Sequence, residues 1–290
     1  MEISKYIQAP DGVTIHYKGP DTVHAHNPSV LLIHGLASNL TRWSEYIEHT
    51  SLHSDYNVYR MDLRGHQGSV SYGRIDRSRW LQDIVQFMQY EAISQITIIG
   101  HSLGAQVAQD FACIHSDKTS GIILIDPVFP DNLHGTLNTV KRWHWLGPIL
   151  LYPLLFLSWL GLHRRHYPHR DLHQLDVQTR TTLDENPNIK IADLYMSPLA
   201  DLEFIPLTTY LQDLLSVVSP LCDPGRVKCP VRILLSSGAS VSDYAENMRI
   251  IRHYQDHQIR EIQADHWLLT EQPVAAREAL DTFVKEIDRH

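Results

Sequence analysis

Short apolar runs alternate along this chain with longer stretches of helical spacing. Runs that are almost entirely aliphatic predict strands buried on both faces, and further short apolar runs predict additional strands. The six predicted strands lie at 30–33, 56–61, 96–99, 122–125, 231–235 and 259–262. Apolar residues at helical spacing predict helices over 42–48, 78–91, 105–112 and 274–287. This alternation predicts a mostly parallel sheet that is covered by helices on both faces.

Two parts of the chain depart from this alternation. Near the beginning, stretches at 3–8 and 13–18 flank the turn signal Pro10-Asp11-Gly12 and predict an antiparallel hairpin. From about residue 130 to 219 the sequence predicts a mostly helical segment instead. We therefore expect a core domain formed by 1–129 and 220–290, interrupted by a helical lid at 130–219.

One junction between a predicted strand and a predicted helix carries a serine between two glycines. The pentapeptide Gly100-His101-Ser102-Leu103-Gly104 follows strand 96–99 and precedes helix 105–112. In this arrangement a sharp turn lifts the hydroxyl out of the backbone, and the glycines leave room where a Cβ would collide with a neighbouring element. The helix N-terminus also supplies free N–H groups and a partial positive charge. We therefore interpret Ser102 as a nucleophile.

The composition of the chain limits the kinds of molecule that it is expected to bind. The 290 residues are 43% apolar and carry a formal net charge of −8, which argues against nucleic acid as the main partner. The sequence has no glycine-rich phosphate loop, so we expect no nucleotide cofactor.

Cys113, Cys222 and Cys229 form an odd set without a C-x-x-C motif and predict neither a disulfide framework nor a zinc site. The first residues show no signal-peptide pattern, and a cytoplasmic location is the expectation.

Taken in order, four motifs resemble the α/β-hydrolase fold family. They are Ile33-His34-Gly35, Asp62-Leu63-Arg64-Gly65, the pentapeptide around Ser102, and Asp265-His266-Trp267. The resemblance covers nearly the whole chain outside the helical insertion. It implies a mostly parallel sheet flanked by helices, an inserted cap, and hydrolysis by a serine nucleophile, a histidine base and an acid.

The resemblance places the base at His266, just after the last predicted strand, in the usual order with serine first and histidine last. The acid is left open between two residues. Asp126 ends the strand after the nucleophile, where some related enzymes carry their acid. Asp243 lies near the more usual position but also fits the first turn of a helix after Ser242. We favour Asp126 and keep Asp243 as the alternative.

Two backbone amides are expected to stabilise the oxyanion, those of Leu36 after His34-Gly35 and of Leu103 after the nucleophile.

A metal site is not expected. Four histidines of the insertion lie among arginines, without cysteines or paired carboxylates, and we interpret them as part of a basic surface. These histidines are His163, His166, His169 and His173.

The insertion contains an apolar run, 143–163, without Asp, Glu, Lys or Arg. Its length would suit a membrane span, but a single span would separate Ser102 from His266 across a hydrocarbon layer of about 30 Å. We interpret the run as a lid that lines an apolar pocket, and contact with a membrane surface remains open.

The expected function is hydrolysis of a small carboxylic ester with an apolar acyl or alcohol part, without cofactor or metal. The same residues also serve carbon–carbon bond hydrolases, acyltransferases and perhydrolases, and a non-catalytic ligand receptor is a further alternative. Serine at position 102 argues against epoxide hydrolase or dehalogenase chemistry, because those relatives use an aspartate nucleophile. The sequence does not predict an oligomeric state.

Overall fold

The computed structural model describes residues 2–186, 188–195, 197–238 and 244–289, and an eight-stranded sheet runs through these residues. The strands are β1 Glu2–Gln8, β2 Thr14–Pro20, β3 Ser29–Ile33, β4 Asn57–Met61, β5 Ile96–His101, β6 Thr119–Ile125, β7 Val231–Ser236 and β8 His257–Ile262. Their order across the sheet is β1-β2-β4-β3-β5-β6-β7-β8. The β1–β2 hairpin is antiparallel and joins β4 in antiparallel fashion, whereas β4, β3 and β5 to β8 are mutually parallel. The mostly parallel sheet is therefore confirmed.

The register of the parallel strands aligns their carboxyl ends at one edge of the sheet. Ile33 of β3 is paired with Gly100 of β5, and Ile125 of β6 is paired both with His101 of β5 and with Leu234 of β7. Loops that leave neighbouring parallel strands at this edge meet in one crevice, which is where ligands bind in sheets of this kind.

Helices cover both faces of the sheet. In the described residues they are α1 Ser44–His49, α2 Arg77–Tyr90, α3 Leu103–Ile114, α4 Gly135–Trp143, α5 Gly147–Trp159, α6 Leu172–Glu185, α7 Ile191–Tyr195, α8 Pro198–Asp201, α9 Leu207–Val218, α10 Tyr244–Ile251, α11 Leu268–Glu271 and α12 Pro273–Ile287. The predicted helices 78–91, 105–112 and 274–287 correspond to α2, α3 and α12. The segment predicted as a helix over 42–48 begins as a 3₁₀ turn at Leu40–Trp43, capped by the Asn39 side chain, and continues as α1.

Alternate residues of the central strands pack into two separate hydrophobic cores, one on each face of the sheet. Leu31 and Ile33 of β3 pack on the face covered by α2 and α3. Val30 and Leu32 point the other way and pack with residues of α1 and α12, including Phe283. Both faces of β3 are fully buried, which explains why its sequence is a continuous apolar run rather than an alternating one.

Helices α4 to α9 lie between β6 and β7, and we call residues 130–219 the inserted segment. Its helix α9 packs against α4, α5 and α3, so the segment lies against the core near the first turns of α3. Among the described residues, no helix combines the length and the apolar character that crossing a bilayer requires.

The expectation that the cysteines form no disulfide is wrong. Cys113 at the end of α3 and Cys222 after α9 form a disulfide, with Cα atoms 6.5 Å apart, and Cys229 is buried and free. The two partners are 109 residues apart in the sequence and meet only because the chain returns to the base of α3 after the inserted segment. Their spacing alone carries no signal of this pairing.

Helix α3 approaches β3 so closely that residue 104 must be glycine. A Cβ on Gly104 would lie 2.4 Å from the carbonyl oxygen of Ile33 and 2.7 Å from that of His34. Both neighbours are backbone atoms of the central sheet and its loop, so neither can rotate away. A side chain at this position would push α3, and with it the preceding turn, off the sheet.

We predict that Gly104→Ala lowers the free energy of unfolding by about 2 kcal/mol or more, because overpacking a backbone contact forces the elements apart. Urea unfolding followed by circular dichroism measures this loss. Gly73→Ala is the matched control, since its Cβ would meet only the Ser71 hydroxyl at 3.9 Å. Equal stability of the two variants would contradict the proposed packing constraint.

Candidate active site

Ser102 occupies the turn between β5 and α3 in a strained backbone conformation. Its φ of 54° lies in the left-handed region, where a residue with a side chain costs about 1–3 kcal/mol. The turn is held from both sides, because the Ser102 N–H donates to the carbonyl of Ile125 at 3.0 Å and the Ser102 carbonyl accepts from the N–H of Ala105 at 3.0 Å. The surrounding sheet therefore fixes the direction in which the hydroxyl points.

His266 reaches Ser102 from the loop between β8 and α11. Its Nε2 lies 3.1 Å from the Ser102 hydroxyl oxygen. The same loop is held by His101, whose Nε2 donates to the His266 carbonyl at 3.1 Å. Burial, with the neighbouring His266 as a second cause, lowers the pKa of His101 to about 3, so this ring is neutral at physiological pH. His101 therefore anchors the loop that carries His266.

Asp126 lies on the other side of the His266 ring, at the carboxyl end of β6. Its Oδ2 is 2.5 Å from His266 Nδ1, and its Oδ1 accepts hydrogen bonds from the Ser236 N–H at 3.1 Å and the Ser236 hydroxyl at 2.9 Å. Burial raises the pKa of the Asp126 carboxyl, but the hydrogen bonds from His266 and Ser236 outweigh this effect and hold the pKa below its ordinary value. Asp126 is therefore ionised at neutral pH.

The ionised carboxylate of Asp126 determines which ring nitrogen of His266 carries the proton. A carboxylate only accepts hydrogen bonds, so the proton of the neutral imidazole lies on Nδ1 and the lone pair of Nε2 faces the Ser102 hydroxyl. The structure thus brings together three of the residues expected from the sequence. The alternative acid, Asp243, lies outside the described residues.

Leu36 and Leu103 place backbone amides near the nucleophile. Leu103 is the first residue of α3, whose N–H has no acceptor within the helix. Leu36 lines the same cavity as Ser102, and a Cβ on the preceding Gly35 would lie 3.4 Å from the Ser102 Cβ. The loop after β3 and the turn after β5 are therefore in contact.

The buried His34 fixes the orientation of the peptide between Gly35 and Leu36. Its Nε2 accepts the Leu63 N–H at 3.0 Å, so Nδ1 carries the proton and donates to the Gly35 carbonyl at 2.8 Å. Burial, followed by the effect of His66, lowers the pKa of His34 to about 3, which keeps the ring neutral. The carbonyl and N–H of one trans peptide point in opposite directions, so holding the Gly35 carbonyl also aims the Leu36 N–H.

A cavity of about 320 Å³ opens onto Ser102 and His266. Its walls come from the loops at the carboxyl edge of the sheet and from helices of the inserted segment. The apolar lining residues include Leu36, Val128, Leu137, Leu172, Leu214, Val217 and Trp267. Such a cavity suits a small, largely apolar ligand.

Two arginines of the cavity wall are each neutralised by a carboxylate. Arg42 is buried, pairs with Asp176 and donates to the Thr270 hydroxyl at 2.9 Å. Arg170 pairs with Asp201 at 2.7 Å. Because these cations already have buried or half-buried partners, the wall offers little uncompensated charge to an ionic ligand.

A buried contact that the sequence does not reveal joins the core to the inserted segment. His66, in the loop after β4, lies with its Nε2 2.9 Å from Asp213 of α9, and its ring makes an edge contact with His34. Burial lowers the pKa of His66, but the Asp213 carboxylate outweighs this effect and raises it above its ordinary value. The partners are far apart in the sequence, so no local sequence pattern predicts that they form a pair.

Among the described residues, no group of three or more histidines, cysteines, aspartates or glutamates is arranged to hold a metal ion. Of the four histidines weighed as ligands, His163 instead stacks on the Tyr72 ring with centroids 3.7 Å apart.

Comparison with known proteins agrees with this architecture. A model of the alpha/beta hydrolase family matches residues 30–279. The chain belongs to the alpha/beta hydrolase family. The match spans the sheet from β3 onward, the loops that carry Ser102, Asp126 and His266, and the inserted segment.

Individual relatives match smaller parts of the chain. Epoxide hydrolase 3 of Xenopus tropicalis is 29% identical over 163 residues, which are 53% of this chain and 43% of that protein. Esterase YbfF of Escherichia coli is 27% identical over 109 residues, which are 38% of this chain and 42% of that protein. The chain thus spans less than half the length of these curated relatives in each match.

A solved structure of a hydrolase from Pseudomonas aeruginosa is similar over nearly the whole chain. Its TM-score is 0.70 at 17% sequence identity, and the superposition covers 97% of this chain and 98% of that one. At this identity the similarity shows the fold alone. The relatives include both an esterase and an epoxide hydrolase, so the reaction must be argued from the residues of the site.

Proposed function

We propose that this alpha/beta hydrolase cleaves carboxylic esters with an apolar acyl or alcohol part through a covalent acyl-enzyme at Ser102. The observation that carries the proposal is the continuous contact from the Ser102 hydroxyl through the His266 ring to the Asp126 carboxylate, with distances of 3.1 Å and 2.5 Å. A serine hydroxyl is a weak nucleophile at neutral pH and needs an adjacent base of this kind.

In the first half of the reaction, Ser102 Oγ attacks the ester carbonyl while His266 Nε2 takes the hydroxyl proton. The imidazolium that forms is stabilised by the Asp126 carboxylate, which keeps its own charge. When the tetrahedral intermediate collapses, His266 Nε2 returns the proton to the leaving alkoxide, and an alcohol departs. Ser102 remains as an acyl ester.

Water completes the cycle by the same steps. His266 removes a proton from the water as its oxygen attacks the acyl carbon, and then protonates Ser102 Oγ as the carboxylic acid leaves. Each half-reaction passes through an oxyanion. The N–H groups of Leu36 and Leu103 are proposed to stabilise it, an effect worth about 3–4 kcal/mol for a single donor in enzymes of comparable chemistry.

Features of the cavity support an apolar and uncharged substrate. The lining is largely aliphatic and aromatic, and Arg42 and Arg170 are already paired with carboxylates. We assign the inserted segment the role of a lid, because α4 and α9 contribute residues to the cavity wall next to Ser102. Although one relative is an epoxide hydrolase, serine at position 102 favours acyl transfer, since epoxide opening in such enzymes uses a carboxylate.

We predict that Ser102→Ala lowers kcat for p-nitrophenyl butyrate by about 10⁴-fold or more, because the nucleophile is lost. The thermal unfolding midpoint should not fall, since within the described part of the chain the hydroxyl makes no hydrogen bond other than that to His266. Release of p-nitrophenol by the purified proteins measures the effect. Turnover retained in Ser102→Ala would contradict the proposed nucleophile.

A pair of matched variants distinguishes the two candidate acids. We predict that Asp126→Asn lowers kcat by about 10³- to 10⁴-fold, because an amide donor facing His266 Nδ1 would favour the tautomer whose Nε2 cannot accept a proton. Asp243→Asn is expected to leave kcat near the wild-type value. The opposite result, with the large loss at Asp243, would assign the acid to that residue and refute the role of Asp126.

A further inference from the structure

The inserted segment exposes a dense apolar surface around α5. Large side chains there remain open to solvent, including Trp159, which is 78% exposed, Ile149 and Leu150, both 62%, and Phe156, which is 57% exposed. Trp145 and Leu162 extend this surface beyond the two ends of the helix. We call residues 143–162 the α5 surface. A patch of this kind marks an interaction site, because isolated soluble proteins rarely leave so many neighbouring apolar groups in water.

Helix α5 is apolar on all sides, yet the described residues cover it on one side only. Leu151 and Ser158 are its buried residues, and α5 packs against α9. The contact is close at Gly147, where a Cβ would lie 2.4 Å from Leu215 of α9. A helix that is apolar all round is normally enclosed by protein or lipid. The remaining sides of α5 therefore lack the apolar surroundings that their composition requires.

Charge around the α5 surface is opposite in sign to that of the whole chain. Residues 132–170 contain no aspartate or glutamate but five lysines and arginines and five histidines, whereas the chain as a whole has a formal net charge of −8. Arg142 precedes the surface and Arg165 follows it, and both side chains are exposed. Among the described residues, neither arginine forms a salt bridge. Positive charge is thus available at both ends of an apolar helix.

The length of α5 suits a helix that lies on a membrane surface rather than one that crosses the bilayer. Its 13 residues extend about 20 Å, shorter than the hydrocarbon core of about 30 Å. Trp143 and Trp145 lie before the helix and Trp159 ends it. Tryptophan combines an apolar ring with a polar N–H and is enriched where lipid tails meet headgroups.

We propose that the α5 surface docks this protein on an anionic lipid bilayer, with α5 lying in the plane of the interface. Apolar side chains enter the boundary between acyl chains and headgroups, and Arg142 and Arg165 contact anionic headgroups. Docking needs no reactive serine, so it stands independently of the proposed ester hydrolysis. Helix α9, on which α5 packs, lines the cavity through Tyr210, Leu214 and Val217, so the bound membrane lies one helix away from the site.

The test measures vesicle binding in the Ser102→Ala background, so that no lipid is hydrolysed during the experiment. Co-sedimentation with vesicles of 70% phosphatidylcholine and 30% phosphatidylglycerol gives an apparent Kd. We expect Phe156→Gln/Trp159→Gln to raise this Kd at least about tenfold, because two apolar rings no longer enter the lipid. The matched control is Tyr90→Gln/Ile114→Gln, whose side chains are 63% and 60% exposed outside the inserted segment. The control should bind as the parent does.

A second double variant tests the electrostatic contribution. We expect Arg142→Gln/Arg165→Gln to raise the Kd about tenfold on the anionic vesicles but not on vesicles of pure phosphatidylcholine, where binding is weak for all variants. Raising the salt concentration should reproduce this loss. Thermal unfolding by circular dichroism confirms that each variant is folded.

Three results would overturn the proposal. The first is no binding of the parent protein to anionic vesicles. The second is equal binding by the α5 variant and its matched control. The third is a dimer, detected by light scattering, that the α5 variant dissociates while vesicle binding is absent, because a second copy of the chain would then cover this surface.

Discussion

The imidazole of His266, held between the Ser102 hydroxyl and the Asp126 carboxylate, is the contact on which the account of this molecule depends. The three side chains come from different loops, and His266 is 164 residues from Ser102 and 140 from Asp126 in the sequence. They meet because β5, β6 and β8 end at the same edge of one parallel sheet. Two backbone distortions complete the arrangement, since both Ser102 and Asp126 adopt a positive φ. The buried sheet supplies the rigidity that such strained positions require.

Around this contact, each loop of the site is fixed by a buried polar group. His34 holds the Gly35 carbonyl, His101 holds the His266 carbonyl, and Ser236 binds the second oxygen of Asp126. The low pKa values of His34 and His101 keep both rings neutral, so they act as fixed donors rather than as competing bases. The inserted segment contacts the same arrangement through the pair of His66 and Asp213 and contributes residues to the cavity wall. Helix α9 is therefore packed against the loops of the site.

The sheet and its flanking helices could be predicted because the central strands are continuous apolar runs and α2, α3 and α12 have clear helical spacing. The nucleophile turn was recognisable because Gly100 and Gly104 are sterically required there. The sequence favoured Asp126 over Asp243 without deciding between them, since Asp126 ends a strand whereas Asp243 lies near the more usual position and also fits the first turn of a helix. Contacts over long separations were also invisible, namely the disulfide of Cys113 with Cys222 and the pair of His66 with Asp213. Such pairs depend on how the inserted segment returns to the core, which no local pattern records.

The most direct measurement of the central claim is the rate at which a fluorophosphonate probe modifies Ser102, followed by mass spectrometry of the labelled peptide. The probe requires an activated hydroxyl but no turnover of an ester, so it tests the contact of Ser102 with His266 independently of substrate choice. We predict stoichiometric labelling at Ser102 in the wild-type protein and a rate about 10²- to 10⁴-fold lower in His266→Ala. Absence of labelling in the wild type, or equal rates in the two proteins, would contradict it.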